Sequence, residues 1–91
     1  MPHILDFLFD EDNLDKIAAH HVRDWQILDV LSDPERVIVP SRRRRRAQFL
    51  VIGHDRGGRC ITIPVESTGN PEIWRPVTAW FCKPSEAARV R

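Results

Sequence analysis

Apolar positions follow helical spacing in the first third of the chain and strand-like spacing afterwards. Ile4 to Phe9 is a short apolar run that predicts a leading strand or an extended arm. Asp10 follows as an N-cap, with Glu11 and Asp12 in the first turn, where carboxylates favour the helix dipole. Leu14, Ile17, Ala18 and His21 keep the i, i+3, i+4, i+7 spacing of a buried stripe, which predicts a helix from Glu11 to His20. Asn13, Lys16 and His20 fall on its polar edge. A second helix is expected from Asp24, a possible cap, to Leu31. Ile27, Leu28 and Leu31 form its apolar stripe, Val30 flanks it, and Trp25 sits half exposed at the edge. Ser32-Asp33-Pro34 ends it, because the residue before a proline avoids helical geometry.

Beyond Pro34 the pattern becomes extended. Arg36 to Val39 is β-like, and three further strands are expected at Gln48–Ile52, Cys60–Val65 and Ile73–Phe81. Turn signals separate them at Asp55-Arg56-Gly57-Gly58 and at residues 67–71. If the first turn centres between Arg56 and Gly57, Ile52 opposes Ile61 and Leu50 opposes Ile63. Leu50, Ile52, Ile61, Ile63, Val65, Val77, Ala79 and Phe81 then share the core face, and Phe49, Val51, Cys60, Thr62, Thr78 and Trp80 share the other. A one-residue slip would exchange such sets. Pro64 and Pro76 would face each other near the second turn and make the sheet irregular there. Pro84 to Arg91 has room for one or two helical turns. The expected fold is α+β, with two N-terminal helices packed on an antiparallel sheet of three to four strands, in one domain spanning residues 1–91.

Composition narrows the class. The chain has 91 residues, 42% hydrophobic and 30% charged, which suits a globular domain and not a disordered one. No apolar run approaches the roughly 20 residues of a membrane span, and the N-terminus lacks signal-peptide features. Cys60 and Cys82 are too few for a disulfide scaffold and lack metal-ligand spacing, so neighbouring unbonded thiols and a cytoplasmic, reduced location are expected. The net charge of +1 hides an asymmetry: residues 1–35 carry nine acids against two bases, and residues 36–91 carry twelve bases against four acids. A basic remainder suits a polyanion, although the two halves could also neutralise each other within the fold.

Phe9-Asp10-Glu11, Asn13, Ile17 and His20 followed by Val22 are similar to the WDExN…IxxHGV opening of BrnT-like toxins of the RelE/ParE superfamily. Ile52-Gly53, Gly58-Arg59, Ile61–Val65 and Arg75-Pro76-Val77-Thr78-Ala79-Trp80 resemble that family's later strands, and Glu86 stands where such chains carry an acid in a terminal helix. Three positions depart from the pattern: Phe9 replaces Trp, His21 replaces Gly, and Trp80 replaces the commoner Arg. The resemblance implies a RelE-like fold and the toxin half of a type II toxin–antitoxin pair. It implies metal-independent RNA cleavage by 2′-hydroxyl attack, with growth inhibition as its effect, no cofactor, and neutralisation by a small DNA-binding antitoxin in a hetero-oligomer.

Arg42, Arg43, Arg44, Arg45 and Arg46 form the strongest chemical signal, because guanidinium groups pair bidentately with phosphates. An acidic protein partner or plain solvent would suit the run too. Arg59 matches a family arginine and is a candidate for stabilising phosphorane charge; a rim salt bridge to Asp55 is the structural alternative. His20 and His54 are candidate general bases, since histidine titrates near working pH. His20 could instead close its helix. Arg75 is a candidate phosphate contact or the partner of an acid, and Trp80 and Trp74 are candidate base-stacking platforms or packing residues. The resulting expectation is an endoribonuclease toxin. A non-catalytic nucleic-acid- or protein-binding module on the same scaffold is the alternative.

Overall fold

The computed structural model describes residues 3–42 and 46–90. The first helix, α1 (Glu11–Ala19), begins where the sequence places it. Asp10 accepts a bond from the Asn13 backbone at 2.9 Å, and the Asn13 side chain accepts one from the Asp10 backbone at 2.9 Å. The Asn13 amide also donates to the Leu8 carbonyl at 3.0 Å. With its polar atoms spent on backbone, Asn13 is fully buried, not on a polar edge, and the buried face of α1 is Asn13 and Ile17. Leu14, Ala18 and His21, expected inside, are exposed.

The second helix, α2 (Asp24–Ser32), is preceded by Arg23 as N-cap residue, whose backbone N–H donates to the Gln26 side chain at 2.8 Å. Asp24 is therefore its first residue, not its cap. Gln26, Ile27 and Val30 are buried, whereas Leu28 is exposed and Trp25 is 43% exposed at the edge, as its position suggested.

The strands are β1 (Asp6–Phe7), β2 (Val37–Pro40), β3 (Phe49–His54), β4 (Cys60–Ser67), β5 (Ile73–Pro76) and β6 (Trp80–Phe81). They form a six-stranded sheet in the order β1-β5-β4-β3-β2, with β6 also pairing β4. β1 runs parallel to β5 and every other pairing is antiparallel. The fold is α+β, with a mixed sheet larger than the three to four antiparallel strands expected. The N-terminal arm adds a strand because the outer edge of β5 offers backbone acceptors: Leu5 N–H bonds the Glu72 carbonyl and Leu8 N–H the Trp74 carbonyl, both at 2.9 Å.

The β3–β4 register differs by one residue from the sequence expectation. Gly53 opposes Ile61 and Val51 opposes Ile63, so the connecting turn centres on Gly57. Asp55 fixes this turn by accepting from the Gly57 and Arg59 backbone N–H groups at 2.8 and 3.0 Å, and Gly58 takes φ +83°. The slip reverses the faces of β3. Phe49 and Val51 pack with Ile61, Ile63 and Val65 beneath the helices, while Leu50 and Ile52 turn to the opposite face. α2 approaches closely at Gly53, where a Cβ would lie 3.0 Å from Val30 Cγ1 and 3.2 Å from Arg36 Cβ.

The expected single strand Ile73–Phe81 is split. Val65 opposes Pro76, but Thr62 opposes Trp80, which leaves one extra residue between β5 and β6. Pro64 has no N–H, and its carbonyl accepts from Val77 at 2.8 Å. The irregularity expected near Pro64 and Pro76 is present, although the two prolines are not directly paired. Cys60 and Cys82 form a disulfide with Cα atoms 5.3 Å apart, so the expected pair of free thiols is corrected. Structural disulfides are uncommon in a reducing cytoplasm, so the cysteines no longer argue for that location. No helix among the described residues is long and apolar enough to cross a membrane. A final turn, α3 (Pro84–Ala87), lies on the face that α1 and α2 leave open, where Glu86 accepts from Thr62 of β4.

Candidate nucleic-acid interface

The face opposite α1 and α2 carries a groove of about 730 Å³ between the sheet and the C-terminal segment. Its floor includes Leu50 and the fully buried Ile52, which the β3 register turns to this face, together with Pro64, Val77 and Trp80. Four cations border it: Arg42 and Arg46 from the loop between β2 and β3, and Lys83 and Arg89 from the C-terminal segment. All four are exposed. Arg43, Arg44 and Arg45 lie outside the described residues.

Trp80 is half-buried at one end of this floor. The Lys83 ammonium lies 5.5 Å from the centroid of its ring. Its indole N–H donates to Glu86, 3.0 Å from Oε1 and 3.3 Å from Oε2. Glu86 Oε1 also accepts from the Thr62 hydroxyl at 3.1 Å and the Lys83 backbone at 2.8 Å, so the carboxylate is fixed inside a cationic rim. Thr78 lines the same groove, and its hydroxyl oxygen is buried with no hydrogen-bond partner among the described residues.

The candidate residues do not all converge on one place. Trp80, Arg42 and Arg46 meet at the groove, and His20 approaches Trp80 edge-on with ring centroids 6.4 Å apart. Arg59 does not line the groove; its guanidinium lies 5.7 Å from the Phe81 ring centroid. Its backbone, not its side chain, makes the hydrogen bond to Asp55. His54 is drawn toward α2: its backbone N–H donates to Asp33 at 2.8 Å, and its Nδ1 lies 3.7 Å from the same oxygen. His54 is not a lining residue of the groove.

Arg75 is held by acids. Its guanidinium meets Asp10 at 2.6 and 3.0 Å, Glu66 at 2.6 Å and Asp12 at 3.4 Å. The hydrogen bond to Asp10 is the main reason its pKa is raised further, and Arg75 in turn holds the Asp10 carboxyl below its ordinary value. Glu66 Oε2 also accepts from Arg46 at 2.9 Å, so this cluster reaches the groove rim. Arg75 thus takes the acid-paired alternative left open by the sequence. Trp74, the other stacking candidate, is buried against Phe49 at a centroid distance of 5.5 Å and donates to the Pro71 carbonyl at 3.1 Å, which places it in the core.

The sequence did not mark Lys83 or Arg89 as site residues, and it placed Thr78 only on the sheet face opposite the core. Lys83 and Arg89 flank a helical turn that docks through Glu86 on Thr62 of β4 and Trp80 of β6, contacts that no local spacing announces. No protein-family model matches the chain, and comparison with curated proteins and with solved structures finds no significant similarity.

Proposed function

We propose that this protein is an RNA-directed toxin of a type II toxin–antitoxin pair, which grips a single strand in the groove and cleaves it. The observation that carries the proposal is the cationic border of Arg42, Arg46, Lys83 and Arg89 around an apolar floor ending in Trp80. Single-stranded nucleic acids need both parts: cations for the phosphates and an aromatic face for a base. The toxin part rests on the family resemblance, with the helices-on-sheet arrangement taken as RelE-like. His20, beside Trp80, is the candidate base for the attacking 2′-hydroxyl, and Arg59 the candidate cation for the charge that develops on phosphorus. A small DNA-binding antitoxin would neutralise the toxin by covering this face.

A non-catalytic binding module is the second reading. It is favoured by the separation of the acid–base candidates: His54 is anchored at Asp33, His20 at Trp80 and Arg59 over Phe81. Induced expression in a host without the antitoxin separates the two. Growth arrest with loss of bulk mRNA, abolished by His20→Ala or Arg59→Ala, supports cleavage. Normal growth and intact mRNA with the wild-type chain remove it and leave the module.

A further inference from the structure

We propose that the groove reads guanine, with Glu86 and Thr78 as its specificity-determining residues. The inference rests on the single-strand-binding function proposed above and adds a base preference to it.

A carboxylate is out of place among cations meant for phosphates. Glu86 lines the groove together with Arg42, Arg46, Lys83 and Arg89. A phosphate beside it would meet like charge, so this part of the groove suits hydrogen-bond donors. Glu86 is also held in position. Oε1 accepts from Trp80, Thr62 and the Lys83 backbone, whereas Oε2 has one longer contact, 3.3 Å from the Trp80 indole. Oε2 retains accepting capacity, and an ionised carboxylate can only accept. The buried Thr78 hydroxyl supplies a second, independent observation. Thr78 lines the groove, but its hydroxyl oxygen is closed off from solvent and has no partner among the described residues, so a turn of the side chain about χ1 is what would bring it to a ligand. Leaving such an atom unpaired is costly, and a ligand that reaches it removes the cost.

Among the RNA bases, guanine alone presents two adjacent donors, N1–H and the N2 amino group, beside an acceptor, O6. Uracil flanks its single donor with two acceptors that would face the carboxylate. Adenine and cytosine place a ring acceptor beside their amino group. A guanine stacked against Trp80 would turn its donor edge to Glu86 Oε2 and leave O6 for the Thr78 hydroxyl. Bases of single strands are commonly read in this way, by stacking and by their Watson–Crick edges.

The test uses fluorescent 2′-fluoro oligonucleotides, which lack the attacking hydroxyl and stay intact. Three are compared by anisotropy: oligouridine, the same strand with one guanosine, and the same strand with inosine at that position. The wild-type chain should bind the guanosine strand at least about fivefold more tightly than oligouridine, and inosine, which lacks the N2 amino group, should lose most of the gain. Glu86→Gln should bring the guanosine and uridine strands to within about twofold of each other. Thr78→Val, which leaves the Glu86 contacts in place, should lower the preference while circular dichroism stays unchanged. Equal binding of the guanosine and uridine strands by the wild-type chain overturns the inference, as does a preference that survives both substitutions. If none of the strands binds in dilute salt, the single-strand reading itself fails, and the base preference fails with it.

Discussion

His21 shows how one residue can carry both a cost and a signal. Its φ of 65° makes it the left-handed residue after α1. The His21 N–H bonds the Ala18 carbonyl at 2.9 Å and the Val22 N–H bonds the Ile17 carbonyl at 3.2 Å, which together form a Schellman closure. Val22 and Ile17 are both buried, giving the apolar contact that accompanies this motif. A side chain with a Cβ resists the left-handed region by about 1–2 kcal/mol, and glycine does not. His21→Gly should therefore stabilise the fold by about 1 kcal/mol, seen as a higher urea midpoint with an unchanged slope. The spacing did not show this: it placed His21 on the buried stripe, whereas the side chain is exposed. Asn13 was not legible: its spacing marked it as polar surface, and only the two bonds its side chain makes, to the Asp10 N–H and the Leu8 carbonyl, explain its burial. Asp55 is a second hub, joining its turn to Gln26 of α2 at 2.9 Å. Asp55→Ala would leave Gln26 and two turn N–H groups without their partner and should cost about 3 kcal/mol, measured by chemical denaturation.

At the scale of elements, the helices were readable because their caps and apolar spacing are local. The existence of β2, β3 and β4 was readable for the same reason. The face of β3 was not, because it depends on whether the turn centres between two residues or on one, and Asp55 decides that through side-chain bonds. The same one-residue difference decides whether Leu50 and Ile52 enter the core or floor the groove. Splitting Ile73–Phe81 into β5 and β6 follows from Pro64, whose missing N–H was visible, and from a bulge that was not. The Cys60–Cys82 bond ties the end of β6 to β4 immediately before α3, across a sequence separation of 22. A loop of that length implies about 3 kcal/mol of stabilisation from restricting the unfolded chain. Reduction, or the double change Cys60→Ser with Cys82→Ser, should lower stability by about that amount. Hydrogen exchange should show faster opening at Trp80–Ala87 than at Val51 or Ile63.

For the whole molecule, the charge asymmetry has a structural outlet and a functional one. Part of it is spent between halves: Asp10 and Asp12 from the acidic third hold Arg75, and Asp29 holds Arg56 at 2.9 and 3.1 Å. Hydrogen bonds from those arginines keep the Asp10 and Asp29 carboxyls below their ordinary values. Asp33 and Asp55 resist ionisation through burial, but hydrogen bonds outweigh it: from the His54 and Glu35 backbones to Asp33, and from Gln26 and the Arg59 and Gly57 backbones to Asp55. All four pKa values are thus lower when folded than when unfolded. Their stabilisation is complete above the ordinary aspartate value of about 4 and is lost as pH falls through the lower folded values. Thermal melts should show little change from these groups between about pH 5 and 7, where their contribution is complete, and a marked fall in stability below about pH 4. Asp55→Asn should make that fall shallower.

A further part of the positive charge, Arg42, Arg46, Lys83 and Arg89, borders the groove, and the functional account depends on it. The direct measurement is the affinity of the wild-type chain for a short single-stranded RNA, free of any inhibitor, across a salt series. Four rim cations acting on phosphates predict tight binding in dilute salt and a log–log slope of about −3, since each phosphate contact contributes about −0.7 on a single strand. Arg42→Glu with Lys83→Glu should abolish that binding. No binding in dilute salt, or binding whose strength ignores both salt and those two substitutions, would contradict the account.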